Sequence, residues 1–225
     1  MAETTKKKDF VEIEFLGRNL LTNEVFDTNV LEEAKKLNSQ VSEVKLLVAC
    51  IGEGMVVKGF DEALEGKEIG KKYIITLSPE KAYGKRQSNL VRMIPIKFFL
   101  SQKIMPEPGM TLAMDNNLVK VISVSGGRVM VDFNNPLAGK DIEYEFTIKK
   151  IVSDVKEKAS ALQRFFLGQE FEFDVDEKTN KLIFKDIKLM PILNVLRDKF
   201  KSMIGFDVEI FEEKKKEEKK TEEKK

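Results

Sequence analysis

The 225-residue chain has no histidine. That removes the commonest general base, the commonest transition-metal ligand and the usual near-neutral pH switch. It has a single cysteine, Cys50. One thiol cannot close an internal disulfide, and without histidine it makes neither an ordinary zinc site nor a Cys-His nucleophile. Cys50 lies in the apolar run 46–51, so it reads as a buried free thiol suited to a reducing cytosol. No apolar run approaches the ~20 residues that span a bilayer. Residues 1–9 are polar and lysine-rich and do not read as a secretory signal. Neither sign of charge dominates: 39 Lys and Arg stand against 38 Asp and Glu. Interleaved as they are, they offer no long-range field to gather nucleic acid. Catalysis is therefore expected to need no proton relay, covalent intermediate, metal or cofactor.

What is present suits two or three small domains. Residues 1–8 read as disordered. Val11, Ile13 and Phe15 alternate with Glu12 and Glu14, the pattern of a strand with one wet face. Residues 20–26 continue extended past a turn at Thr22-Asn23. Residues 30–37 predict a short helix, and 46–51 a strand buried on both faces. Residues 72–77 predict a further strand, and 78–84 a loop turned by Pro79 and Gly84.

The texture then changes. Residues 88–108 carry three prolines and the cluster Phe98-Phe99-Leu100. Residues 111–114, 118–124 and 128–133 are β-type, punctuated at Asn116-Asn117 and Gly126-Gly127. Ile142, Tyr144, Phe146 and Ile148 alternate with polar residues, which predicts a long strand returning to the first sheet. A helix capped by Ser153 or Asp154 follows, ended by Gly168. Two strands then flank 176–180, Pro191 starts a helix stopped by Gly205, and 206–211 is a last strand. This α-β-β-α-β module is marginal alone, and docking or self-association would help it. Residues 212–225 contain only Glu, Lys and one Thr, a solvated tail or a frayed helix.

The rest is organised around 56–66. Val56, Val57, Phe60, Ala63 and Leu64 share one side at helical spacing, while Asp61, Glu62 and Glu65 are expected to face water. Gly52 and Gly54 lead in, and Gly66 closes the turn. Read by composition alone, Phe15, Phe26 and Phe60 fit a packed core as well as a pocket. Tyr83 fits a surface turn, and Asp27 a helix cap or a pocket group.

Four separated blocks carry a resemblance. Phe26-Asp27, residues 52–66, residues 78–84 and residues 135–140 resemble the FK506-binding-protein (FKBP) type peptidyl-prolyl cis-trans isomerases, the last block resembling the return from the flap of the SlyD-like subgroup. The helix at 30–37 and the module after 155 resemble the long archaeal members. The resemblance implies an α+β fold, a half-open antiparallel sheet around a short helix, with a small β insert and a C-terminal α-β-β-α-β module. It divides the chain into an isomerase domain at 9–87 plus 133–152, a flap at 88–132, a C-terminal domain at 155–211 and a charged disordered tail at 212–225. Position by position it implies a catalytic set of Phe26, Asp27, Val57, Phe60, Tyr83 and Tyr144. Phe15, Leu47, Val56 and Leu137 are implied to bind substrate. Phe15 stands where the family often has Tyr, and Tyr144 where it often has Phe.

The chemistry fits such residues. Rotating an X-Pro bond breaks amide resonance, a barrier of roughly 18–20 kcal/mol. The twisted amide is less dipolar than the planar one, so a dry ring-lined pocket favours it relative to water. Each tenfold gain in rate needs only ~1.4 kcal/mol of differential stabilisation. The expected function is a cytoplasmic prolyl isomerase that also binds unfolded, X-Pro-containing chains as a chaperone. Met93, Phe98, Phe99, Met105, Met110 and Met114 would give its flap a soft apolar surface. The C-terminal module would enlarge the client surface or form a homodimer. The alternative is a non-catalytic holdase, or an adaptor docking partners, with a vestigial pocket. No nucleic acid or membrane partner is expected.

Overall fold

The computed structural model describes residues 3–114 and 117–210. The chain opens with β1 (Phe10–Asn19), turns at Asn19 and returns as β2 (Val25–Thr28). The excursion carries α1 (Leu31–Leu37), and β3 (Leu47–Cys50) comes back to β1. Next come α2 (Lys58–Leu64) and β4 (Lys72–Leu77). Residues 3–8 are tied down, against the reading of 1–8 as disordered. Thr5 is buried, its Oγ1 donates to the carbonyl of Leu64 at 2.6 Å, and its amide donates to Lys67. The open backbone groups after α2 need partners, and this segment supplies them.

The insert is a second sheet. It holds β5 (Val91–Pro95), α3 (Ile96–Ser101), β6 (Thr111–Met114), β7 (Asn117–Ser125) and β8 (Arg128–Asp132), in the order β5-β8-β7-β6. Its small core is Phe99 with Val119, Val121, Val129 and Val131. Phe99 is thus core and not surface, and Met110 and Met114 pack against that core. Met93, Phe98 and Met105 are exposed.

Then β9 (Ile142–Ile151) returns between β1 and β4, giving the order β2-β1-β9-β4 with β3 also on β1. Every pairing in this sheet is antiparallel. The strict alternation of β9 buries Ile142, Tyr144, Phe146 and Ile148 together with Val11, Ile13, Phe15, Phe60 and Leu64. The sheet therefore wraps on α2. β2 and β3 share one edge of β1, and Asn29 fills the gap between them. Its Oδ1 accepts from the amide of Phe15 at 2.6 Å, and its Nδ2 donates to the carbonyl of Ile13 at 2.8 Å. A side chain thus completes a ladder that the excursion would leave open.

The chain ends in α4 (Val155–Leu167), β10 (Phe173–Asp176), β11 (Lys181–Phe184), α5 (Met190–Ile204) and β12 (Asp207–Ile210). Asp154 is the cap of α4, its carboxylate accepting from the amide of Glu157 at 2.7 Å. β11 pairs antiparallel with β10 and parallel with β12. The core of this unit does not stop at its own residues. It includes Phe10, Val48, Cys50 and Val152 of the first sheet. β3 therefore buries both faces, Ala49 toward α2 and Val48 and Cys50 toward α4. The expected Lys/Glu tail lies outside the described residues.

Candidate active site

α2 is delivered by a tight loop. Gly52 and Gly54 have φ of +83° and +70°, which a side chain would strain. Asp61, one turn into α2, reaches back to that loop. Its Oδ1 accepts from the amide of Gly52 at 2.8 Å and its Oδ2 from that of Gly54 at 2.9 Å. Asp61 is buried and does not face water. The clamp aims Met55, Val56 and Val57 at the space over Phe60.

That space is a cleft of about 430 Å³, lined by Phe15, Asp27, Leu47, Met55, Val56, Val57, Phe60, Tyr83 and Tyr144. The Phe60 and Tyr144 rings stack at 4.6 Å and 13° to form its floor. Phe15 stands edge-on to both, at 6.1 Å and 6.0 Å. Phe26 packs edge-on to Tyr83 and Tyr144, at 6.0 Å and 5.7 Å, and so braces the wall without lining it. Tyr83 comes from the loop that follows β4. A 3-10 turn at Pro79–Lys81 and the Gly84 amide, which donates to the Pro79 carbonyl at 2.7 Å, fix that loop. Gly17 makes room for the rings. A Cβ there would lie 2.8 Å from both Phe26 Cζ and Tyr144 Cε1.

Polar side chains in the cleft are few. The hydroxyls of Tyr83 and Tyr144 face each other at 3.5 Å. Burial pushes the Tyr144 hydroxyl far above its ordinary range, helped by the Tyr83 hydroxyl and by Asp27, so it stays a neutral donor. Asp27 sits at the open rim. The bulk around it raises its carboxyl, against the lowering effect of the Thr28 amide. It does not cap α1: that helix begins after Val30, whose amide is bonded by Thr28 Oγ1. The site is a ring-walled hollow with two hydroxyls and one carboxylate. It offers apolar contact and single hydrogen bonds to a ligand.

The residues put forward from sequence meet unevenly. Phe15, Asp27, Leu47, Val56, Val57, Phe60, Tyr83 and Tyr144 converge, Phe26 stands behind them, and Leu137 lies outside the lining. Met55 lines the cleft and was missed. Its sulfur accepts from the amide of Cys50 at 3.2 Å, a contact that no sequence pattern announces.

A short-type peptidyl-prolyl cis-trans isomerase of Methanocaldococcus jannaschii is 34% identical to this chain over 153 residues, covering 67% of this chain and 96% of that protein. The chain belongs to the FKBP-type peptidyl-prolyl cis-trans isomerases. The model of that family, described as FKBP-type peptidyl-prolyl cis-trans isomerase, matches residues 1–97. A second family model, FKBP26, IF domain, matches residues 92–137. The FKBP-type isomerase SlyD of Aeromonas hydrophila is 33% identical over 130 residues, 57% of this chain and 56% of that protein. The SlyD of Treponema pallidum is 31% identical over 115 residues, 49% and 65% of the two chains. The chain thus spans a little over half to two thirds of these SlyD proteins. In this FKBP-type isomerase the ring-lined cleft lies within the sheet that wraps α2. Among the described residues no helix is long and apolar enough to cross a membrane.

Proposed function

We propose that this cleft turns X-Pro bonds in unfolded or partly folded chains, and that the insert holds those chains beside it. One observation carries the reading: Phe60 and Tyr144 stacked at 4.6 Å as the floor of a hollow whose other walls are apolar except for Asp27 and the Tyr83 hydroxyl. A prolyl ring seated there leaves water, and its imide loses dipole as it twists. Solvent opposes that change less when it is absent. Tyr83, within reach of the mouth, donates to the client carbonyl. Phe26, Asp27, Val57, Phe60, Tyr83 and Tyr144 make the catalytic set. Phe15, Leu47 and Val56 hold the client chain, and Leu137 meets it as it leaves toward the insert.

The flap spans 88–132, set into an isomerase domain of 9–87 plus 133–152. Exposed Met93, Phe98 and Met105 support a holding role, since flexible thioethers adapt to many side chains. The C-terminal domain, 155–211, leaves Ile187, Met190, Ile192 and Val195 exposed along α5 and the turn before it. That stripe supports a homodimer. The free, buried Cys50 supports a cytoplasmic setting, and the M. jannaschii relative an archaeal source.

Protease-free NMR exchange spectroscopy on an Ala-Pro peptide tests the isomerase reading. Line broadening from cis-trans exchange well above the buffer blank is expected. Exchange equal to the blank leaves only the non-catalytic alternatives, a holdase or a partner-docking adaptor. Sedimentation of the full chain decides the dimer.

A further inference from the structure

A second hollow of about 390 Å³ lies beside the prolyl cleft and shares Phe15, Asp27, Leu47 and Met55 as walls. Its far side belongs to the C-terminal unit: Ala161, Arg164 and Phe165 of α4. Lys45 closes the rim from the excursion before β3.

The arrangement is held in place. Met55 packs against both the core under α2 and the core that joins α4 to the sheet. Glu170 accepts from Arg164 at 2.7 Å and lies 3.6 Å from Lys45, tying the end of α4 to the excursion. Phe165 nonetheless stays 44% exposed, fixed edge-on by Phe166 at 4.9 Å. An aromatic ring left open in a hollow whose walls include Phe15, Leu47, Met55 and Ala161 as well as Asp27, Lys45 and Arg164 gains contact area when an apolar side chain covers it.

We propose that this hollow is a second client subsite, taking an apolar side chain that neighbours the proline in the same polypeptide. The proposal rests on the prolyl reading of the adjoining cleft. Because the hollows share four walls, nearby residues of one extended chain fill both without leaving the surface. The C-terminal domain then acts in peptide selection at the active site itself.

The test uses the full chain and two peptides. One carries only alanine around its proline, and the other adds phenylalanine two residues before or after it. Exchange spectroscopy gives kcat/KM for each. In the wild type the extended peptide is expected to be favoured about threefold to tenfold, and Phe165→Ala to bring that ratio close to one. Amide shifts of the unmodified chain supply a second reading. The extended peptide should move residues 45, 46, 164 and 165, which line the second hollow and not the first, and the short one should not. An unchanged ratio in Phe165→Ala, or shifts confined to the cleft, overturns the subsite. Should neither peptide be turned over, the isomerase reading falls. The shift map still decides the subsite, for it or against it.

Discussion

The carboxylate of Asp61 accepts a hydrogen bond from the amide of Gly54 at 2.9 Å, while its other oxygen holds Gly52 at 2.8 Å. Two charge-assisted bonds from one buried side chain fix the loop that aims Met55, Val56 and Val57. Asp61→Ala removes both acceptors and strands two amides. The expected loss of stability is ~2–4 kcal/mol. Because the loop carries one wall of the cleft, kcat/KM on a short peptide should fall at least tenfold in protein that is still folded. Urea melts and exchange spectroscopy on the same sample read the two effects separately.

Gly17 sits under the rings of Phe26 and Tyr144, each 2.8 Å from where a Cβ would stand. Each ring packs on a further aromatic residue, so displacing it disturbs a second contact. Gly17→Ala should therefore cost ~1–3 kcal/mol by overpacking. It should also tilt Tyr144 off Phe60. Near-ultraviolet circular dichroism would report the disturbed rings, and turnover should drop with it. Turnover matching the wild type would show that the stack is not needed.

The hydroxyls of Tyr83 and Tyr144 make a pair at 3.5 Å, too long for a strong bond. Tyr83→Phe should therefore leave stability within ~0.5 kcal/mol of the parent, since Tyr144 loses little. It should lower kcat/KM about threefold to tenfold if the Tyr83 hydroxyl meets the client carbonyl. Phe60→Ala differs in kind. It opens a cavity in the floor and should cost ~3–5 kcal/mol as well as turnover.

In the insert, exposure and burial separate two roles. Met93 and Met105 are 56% and 67% exposed, while Phe99 is 1% exposed in the small core. Replacing Met93 and Met105 together by Ser should weaken refolding of a protein client several-fold and leave peptide turnover intact. Phe99→Ala should instead melt the insert at a lower temperature than the rest. Refolding unaffected by the double change would remove those methionines from the holding surface.

Much of this architecture was legible because alternation and glycine placement are local. The period-two pattern of β9 placed Tyr144 and Phe146 on the inner face, and the run at 46–51 announced a strand covered twice. Long-range contacts were not legible. Asp61 looked solvated because its polar neighbours at 62 and 65 are, and nothing nearby says that its carboxylate turns back to Gly52 and Gly54. Thr5 looked like part of a charged tail because its partners lie some sixty residues away. Met55 and Phe165 escaped for the same reason, since their places depend on how α4 seats against β3. Asn29 could have been suspected as a lone amide beside a strand, but its bonds span Ile13 and Phe15.

That seat also governs Cys50, which gives the last prediction. Its side chain is buried between β3 and α4, and burial pushes its thiol up from 9.0 to about 12, with the carboxylates of Glu53 and Asp61 adding to the shift. The native thiol should resist an aromatic disulfide reagent at pH 8 and react at once in denaturant. The sign of the linkage follows. Above about pH 9 the unfolded thiol ionises while the folded one keeps its proton, so the unfolded state gains and stability falls as pH rises toward 12. Between pH 8 and pH 10 the wild type should lose ~1 kcal/mol more than Cys50→Ala, whose own cavity cost does not vary with pH. Equal pH slopes for the two proteins would mean that α4 does not cover this face of β3 in solution. The subsite built on α4 would then lose its far wall.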